Sequence, residues 1–189
     1  MTTKSKKQLA HLFDATRCVD CNACIVACAQ TNYPEMFERP NEGWDWLAAN
    51  IRKVTLERAK RPVHMLVQCR QCENAPCIDT CPFGANYRDP ETGLVKTDES
   101  RCVGCNYCIA SCPYDVRWSH PDTGLPMKCM GHGCEELVKN GELPCPVSAR
   151  MFGDVSDPDS DISRKIAVSK TEKLLPHKGT KPNYFVVVK

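Results

Sequence analysis

The sequence of 189 residues has no apolar run approaching 18 residues, so no membrane-spanning helix is expected. It also lacks an excess of either charge. Lys and Arg number 25 against 23 Asp and Glu, a net of +2, so a dominant basic face for gripping nucleic acid is not indicated. The first residues, MTTKSKKQLAHLFD, are basic but have no apolar stretch, and twin arginines are absent. No secretory signal is therefore expected. The cysteine count is not even. Fifteen cysteines cannot all pair within one chain, and thiols three residues apart in a loop make poor disulfides. The length suits one or two domains, and about one residue in thirteen is cysteine, near the level of a cysteine-built scaffold.

The cysteines fall into groups. The first is Cys18-x2-Cys21-x2-Cys24-x3-Cys28, and the second is Cys69-x2-Cys72-x4-Cys77-x3-Cys81-Pro82. The third is Cys102-x2-Cys105-x2-Cys108-x3-Cys112-Pro113, and an incomplete fourth is Cys129-x4-Cys134-x10-Cys145-Pro146. The first and third have the bacterial ferredoxin spacing. Three cysteines two residues apart on a tight loop wrap one side of an iron–sulfur cluster, and the fourth reaches the other cluster of a pair. The proline after it suits the first turn of a following helix. Isolated CxxC pairs also suit zinc, but zinc does not account for a third ligand at x2 and a fourth at x3.

The second and third groups repeat beyond their cysteines. Each is followed by a Gly-closed turn, Asp89-Pro90-Glu91-Thr92-Gly93-Leu94 and His120-Pro121-Asp122-Thr123-Gly124-Leu125. Each turn reads as a β-hairpin. The repeating unit is then a cluster loop, a short helix after Cys-Pro and a hairpin, an α+β arrangement like the two-cluster ferredoxin unit. Ligand sharing within such a unit groups Cys69, Cys72, Cys77 with Cys112 (site C), and Cys81 with Cys102, Cys105, Cys108 (site D). The outer groups then pair with each other: Cys18, Cys21, Cys24 with Cys145 (site A), and Cys28 with the fourth group (site B). This predicts two ferredoxin-like modules with a pseudo-twofold repeat, one inserted in the other. The outer module takes 1–60 and 118–189, and the inserted one 61–117.

The segments RCVDCNACIVAC (17–28), QCENAPCIDTCPFGA (71–85), RCVGCNYCIASCPYDVR (101–117) and CPVSARMFGD (145–154), with the closing GTKPNYFVV, carry a resemblance. The sequence resembles the four-cluster iron–sulfur subunits of molybdopterin oxidoreductases, among them polysulfide, thiosulfate, tetrathionate, arsenate and dimethyl sulfoxide reductases and sulfite dehydrogenases. The resemblance implies relay of single electrons between a molybdenum or tungsten catalytic subunit and a membrane quinone-binding subunit. It implies no catalysis by the protein alone and a peripheral place in a membrane-associated complex on either side of the membrane, while thiolates that hold clusters imply assembly in a reducing cytoplasm. A cluster-bearing accessory subunit of a molybdopterin enzyme not linked to quinone is the alternative, and a zinc-stabilised interaction module a third reading.

The family pattern in the fourth group is C-x2-C, a spacer, then C-x3-CP. Here the position four before Cys145 is Gly141, and His132 stands three after Cys129. The fifteen cysteines thus read as sixteen minus one. Site B is left with Cys28, Cys129 and either Cys134 or His132, or both. Three [4Fe–4S] clusters are implied, with a fourth that is [3Fe–4S], a His132-ligated [4Fe–4S], or absent. Each cluster with its thiolates carries roughly −2, which would bring the net charge to about −6. Arg17, Arg70, Arg101 and Lys128 adjoin cysteines and Arg150 stands five residues after Cys145; all five are expected to supply part of the compensation. Elsewhere, residues 51–58 read as a strand, Trp44 and Trp46 as packing anchors, and Trp118 as cover for a cluster. Residues 156–165 read as a capped helix start, and the C-terminus as an edge strand or a partner contact.

Overall fold

The structure is a computed structural model, and it describes residues 7–39, 50–57, 62–139 and 144–188. Trp44, Trp46, Gly141 and the side chain of His132 lie outside the described residues. The chain runs β1 (Leu9–Asp14), α1 (Ala23–Asn32), α2 (Glu35–Glu38), β2 (Ile51–Leu56), β3 (Val63–Gln68), α3 (Pro76–Asp79), β4 (Asn86–Arg88) and β5 (Val95–Thr97). It continues through α4 (Tyr107–Ala110), β6 (Trp118–Ser119), β7 (Pro126–Met127), α5 (His132–Lys139), β8 (Arg150–Asp154), α6 (Asp161–Ala167), β9 (Thr171–Glu172) and β10 (Tyr184–Val187). The fold mixes short helices with small sheets. Strands β8, β1, β10 and β9 form one sheet in that order, while β2–β3, β4–β5 and β6–β7 are antiparallel pairs.

Strand β1 is buried along its whole length, because it is central and both of its faces are covered. Its side chains alternate with the two-residue period of a strand. Ala10 and Leu12 pack with Ile162 of α6 and Val187. Phe13 packs on the opposite side with Ile25, Cys28 and Ala29 of α1, and His11 lies against Phe152 and Tyr184. The C-terminal strand β10 is not an edge. It runs parallel to β1 and antiparallel to β9, with Tyr184, Val186 and Val187 all buried. Three apolar side chains in four residues make an interior strand more favourable than a solvent-facing one.

Both expected hairpins form. Pairing of β4 with β5 surrounds Gly93 at φ +71°, and β6 with β7 surrounds Gly124 at φ +66°. The expected helix cap is Ser160, whose side chain accepts from the Ser163 amide at 3.2 Å. The helices, however, do not follow the Cys-Pro pairs. Cys77 lies within α3 and Cys108 within α4, and both helices end before Cys81-Pro82 and Cys112-Pro113. Proline disfavours helical backbone in the residue before it, so Cys-Pro ends the short helix rather than opening one.

Strand β2 occupies 51–56 of the expected 51–58 and pairs with β3 residue by residue, so the expected boundary at 60/61 falls in the connection between paired strands. The C-terminal segment also crosses this boundary. The Asn183 amide donates to the Arg70 carbonyl at 2.8 Å, and the Glu73 and Asn74 amides donate to the Lys181 and Thr180 carbonyls at 2.9 and 3.0 Å. Trp118 packs edge-on against Tyr33, with ring centroids 5.0 Å apart. Its indole N–H donates to Asn50 at 2.8 Å, which makes it a packing residue between α1 and the start of β2.

Gly131, just before α5, has φ +82°, and a Cβ there would stand 2.5 Å from Leu94 Cδ1. Leu94 is fully buried and cannot swing away. Gly131→Ala therefore combines left-handed strain with overpacking and should cost about 2–4 kcal/mol. Thermal unfolding of the loaded protein checks this, and an unchanged midpoint would contradict it.

Candidate metal centres

The cysteine loops curl because short polar residues adopt the left-handed region at small cost. Asp20 and Asn22 do so between Cys18 and Cys24, as do Gln71 between Cys69 and Cys72, and Gly104 and Asn106 between Cys102 and Cys108. The loop before α1 is held from β2, where Lys53 Nζ donates to the Asp20 carboxylate and, at 3.1 Å, to Asn22 Oδ1. Buried Gln71 ties two loops together. Its Oε1 accepts from the Val95 amide at 2.6 Å, and its Nε2 donates to the Cys129 carbonyl at 2.8 Å.

Three cavities are each lined by four thiols. Cys18, Cys21, Cys24 and Cys145 line one, at site A. Cys69, Cys72, Cys77 and Cys112 line another, at site C. Cys81, Cys102, Cys105 and Cys108 line the third, at site D. All three spaces are partly open to solvent. Among the described residues, no three His, Cys, Asp or Glu side chains are placed to hold a single metal ion; these thiols surround spaces instead.

Cys28, Cys129 and Cys134, the thiols of site B, are all buried. Cys28 lies one helical turn beyond Cys24 on α1, so one helix carries a thiol of site A and a thiol of site B. Burial pushes the Cys129 thiol well up, and the neighbouring Cys134, Cys28 and Cys69 add to the effect. Cys69 and Cys129 pack in one buried cluster, so site B borders site C. Cys77 lies in α3 and Cys108 in α4, two helices in contact, so site C borders site D. The neighbour relations run A–B–C–D.

Among the described residues, four cations are buried near these thiols. Arg70, Arg117, Lys128 and Arg150 are at most 5 % exposed. Among the described residues, none pairs with a carboxylate. Arg70, Arg117 and Lys128 line the site C cavity, and Arg150 lines that of site A. Burial works against the Arg150 cation, but the thiols of Cys134, Cys28, Cys24 and Cys129 outweigh it and hold the guanidinium more basic than usual. Arg70 Nε and Nη1 and Arg117 Nη1 are buried without a hydrogen-bond partner. Buried charges of one sign call for an anion. Sets of four thiols around cavities, with unpaired cations beside them, fit anionic iron–sulfur clusters.

Of the five cations expected to compensate charge, Arg70, Lys128 and Arg150 are internal, while Arg17 and Arg101 are exposed. Arg101 donates to the Phe83 carbonyl at 3.0 Å. Adjacency in sequence does not decide which way a side chain points. Arg117 is not among the five, although it stands five residues after Cys112 just as Arg150 stands five after Cys145; the fold brings it into the lining of site C beside Cys77.

Burial pushes Cys28 and Cys72 up to about 12. Both therefore hold their protons at neutral pH, and a cluster bound through these sulfurs would release those protons as it assembles. Acidification should weaken assembly, by roughly tenfold per pH unit for each such thiol. Visible absorbance after reconstitution between pH 6 and 9 measures this, and a yield that rises toward low pH would contradict it.

This arrangement belongs to the class of multi-cluster iron–sulfur proteins. A family model described as a 4Fe-4S dicluster domain matches residues 63–155. The protein is 35% identical to a sulfite dehydrogenase subunit of Allochromatium vinosum, over 93% of its own length and 80% of the relative's. It is 40% identical to a thiosulfate reductase electron transfer subunit of Salmonella typhi, over 83% and 80%. It is 36% identical to one of the polypeptides of the polysulfide reductase of Wolinella succinogenes, over 96% and 94%. The protein belongs to this family of iron–sulfur subunits of oxidoreductase complexes. No helix among the described residues is long and apolar enough to cross a membrane.

Proposed function

We propose that the protein relays single electrons through four iron–sulfur clusters held at sites A, B, C and D. In this reading the clusters of sites A, C and D are [4Fe–4S], each on the four thiols that line its cavity. Cys28, Cys129 and Cys134 hold the fourth. Two ferredoxin-like modules, one inserted in the other, provide the scaffold, joined by the β2–β3 pair and by the 180–183 segment. When bound, the clusters supply reversible one-electron chemistry at potentials set by cluster type, hydrogen bonds to sulfur and burial.

One observation carries this reading. Cys21 of site A and Cys105 of site D are the exposed cysteines, whereas all three thiols of site B are buried. A row of redox sites that is insulated in the middle and reaches the surface at both ends suits passage of electrons from one partner to another. Exposed Val19 in the site A loop, and Val103 and Tyr107 in the site D loop, offer apolar contact at those ends. The relatives named as reductase and dehydrogenase subunits point to a molybdopterin catalytic subunit at one end. A membrane quinone-binding subunit at the other end completes the path, and the protein alone turns over no substrate. Purification of the complex under anaerobic conditions tests this. Iron and sulfide on this polypeptide, together with co-purifying catalytic and membrane subunits, are expected. Zinc in place of iron, or substrate reduction by the isolated protein, would overturn it.

A further inference from the structure

Each of the three thiols of site B has its own side-chain nitrogen close by. Asn32 Nδ2 stands 3.6 Å from Cys28 Sγ, Arg150 Nη2 stands 3.6 Å from Cys134 Sγ, and His11 Nε2 stands 3.7 Å from Cys129 Sγ. These donors come from α1, β8 and β1, three elements brought together by the sheet and by the packing of α1. His11 has no exposed surface. Its ring is fixed by Phe152, 4.6 Å away between centroids, and by Tyr184 at 6.0 Å.

We propose that His11, Asn32 and Arg150 form a shell of hydrogen-bond donors, one to each thiolate of site B, and that His11 is a donor to Cys129 rather than an iron ligand. This rests on the reading that site B holds a cluster. The other ring nitrogen decides between the two roles of His11. An imidazole that ligates a metal nearly always passes its second N–H to an acceptor, and buried His11 Nδ1 has no hydrogen-bond partner. Ligation through Nε2 would leave a buried Nδ1–H without an acceptor. Donation from Nε2 leaves Nδ1 a bare acceptor instead and satisfies the sulfur.

Hydrogen bonds to ligand sulfur spread its negative charge and favour the reduced cluster. The shell therefore raises the potential of site B, where three thiolates already carry less charge than four. His11 acts through Cys129 and is a positioning residue.

The test uses the cluster-loaded protein, with redox titration followed by electron paramagnetic resonance. His11→Phe keeps an apolar ring beside Phe152 and removes the donor. It should make site B about tenfold harder to reduce, a downward shift of ~59 mV, and leave the other three centres unchanged. His11→Gln, which keeps an N–H, should recover part of the shift. Asn32→Ala, at an exposed residue, should lower the same centre and gives the test a second route if His11→Phe fails to fold. In protein carrying ¹⁵N-histidine, a weak nitrogen coupling at site B is expected. A strong coupling that vanishes in His11→Gln would make His11 a ligand and overturn the proposal, as would potentials unmoved in both His11→Phe and Asn32→Ala. Wild-type iron sufficient for only three clusters would instead overturn the reading of site B itself, and the donor shell with it.

Discussion

Stripping iron and sulfide from the protein is expected to unfold it. The reason lies in the four cations buried among the thiols. Arg70, Arg117, Lys128 and Arg150 have no carboxylate partner among the described residues, and in the proposed reading the clusters supply their counter-charge. A buried charge left alone costs several kcal/mol, and an arginine cannot escape by losing its proton. Three such arginines and a lysine exceed the roughly 5–15 kcal/mol that hold a domain together. The apolar alternative is thin, because cysteines take part in three of the four buried clusters of the core. Anaerobic chelation followed by near-ultraviolet circular dichroism should show loss of fixed packing. A native spectrum in iron-free protein would contradict the account.

Arg150→Met is expected to have the largest effect of any single cation replacement. Arg150 is buried beside Cys134, Cys28, Cys24 and Cys129, so it faces two centres at once. Removing it leaves their negative charge uncompensated, at a cost of roughly 3–5 kcal/mol. The potentials of both centres should fall, by on the order of 100 mV for a cation at contact distance in a partly screened interior. Arg150→Lys keeps the charge but loses the forked geometry and should fall in between. Redox titration of each variant measures this, and equal potentials in all three proteins would show that the guanidinium only fills space.

How much of this is legible in the sequence depends on how local each feature is. Which thiols share a loop follows from spacing, because the two-residue gaps fix a curled backbone, and the left-handed Asn22 and Asn106 occur where that curl needs them. The hairpins are legible from Gly93 and Gly124 for the same reason. The side of the Cys-Pro pairs on which the helices lie is not, because proline both tolerates a helix start and stops a helix before it, and only the second property acts here. The interior position of β10 depends on β1, at the other end of the sequence, and no local signal carries it. His11 and Arg117 are not legible as site residues. His11 reads as one more residue of a buried strand, and its approach to Cys129 spans 118 positions.

The most direct measurement is the number of electrons taken up by the purified, cluster-loaded protein in an anaerobic reductive titration. Four sites with one-electron clusters predict an uptake of about four electrons per molecule, in steps that track the spectroscopic signals of distinct centres. Uptake of two electrons or fewer by protein with full iron and sulfide, or of none, would contradict the relay.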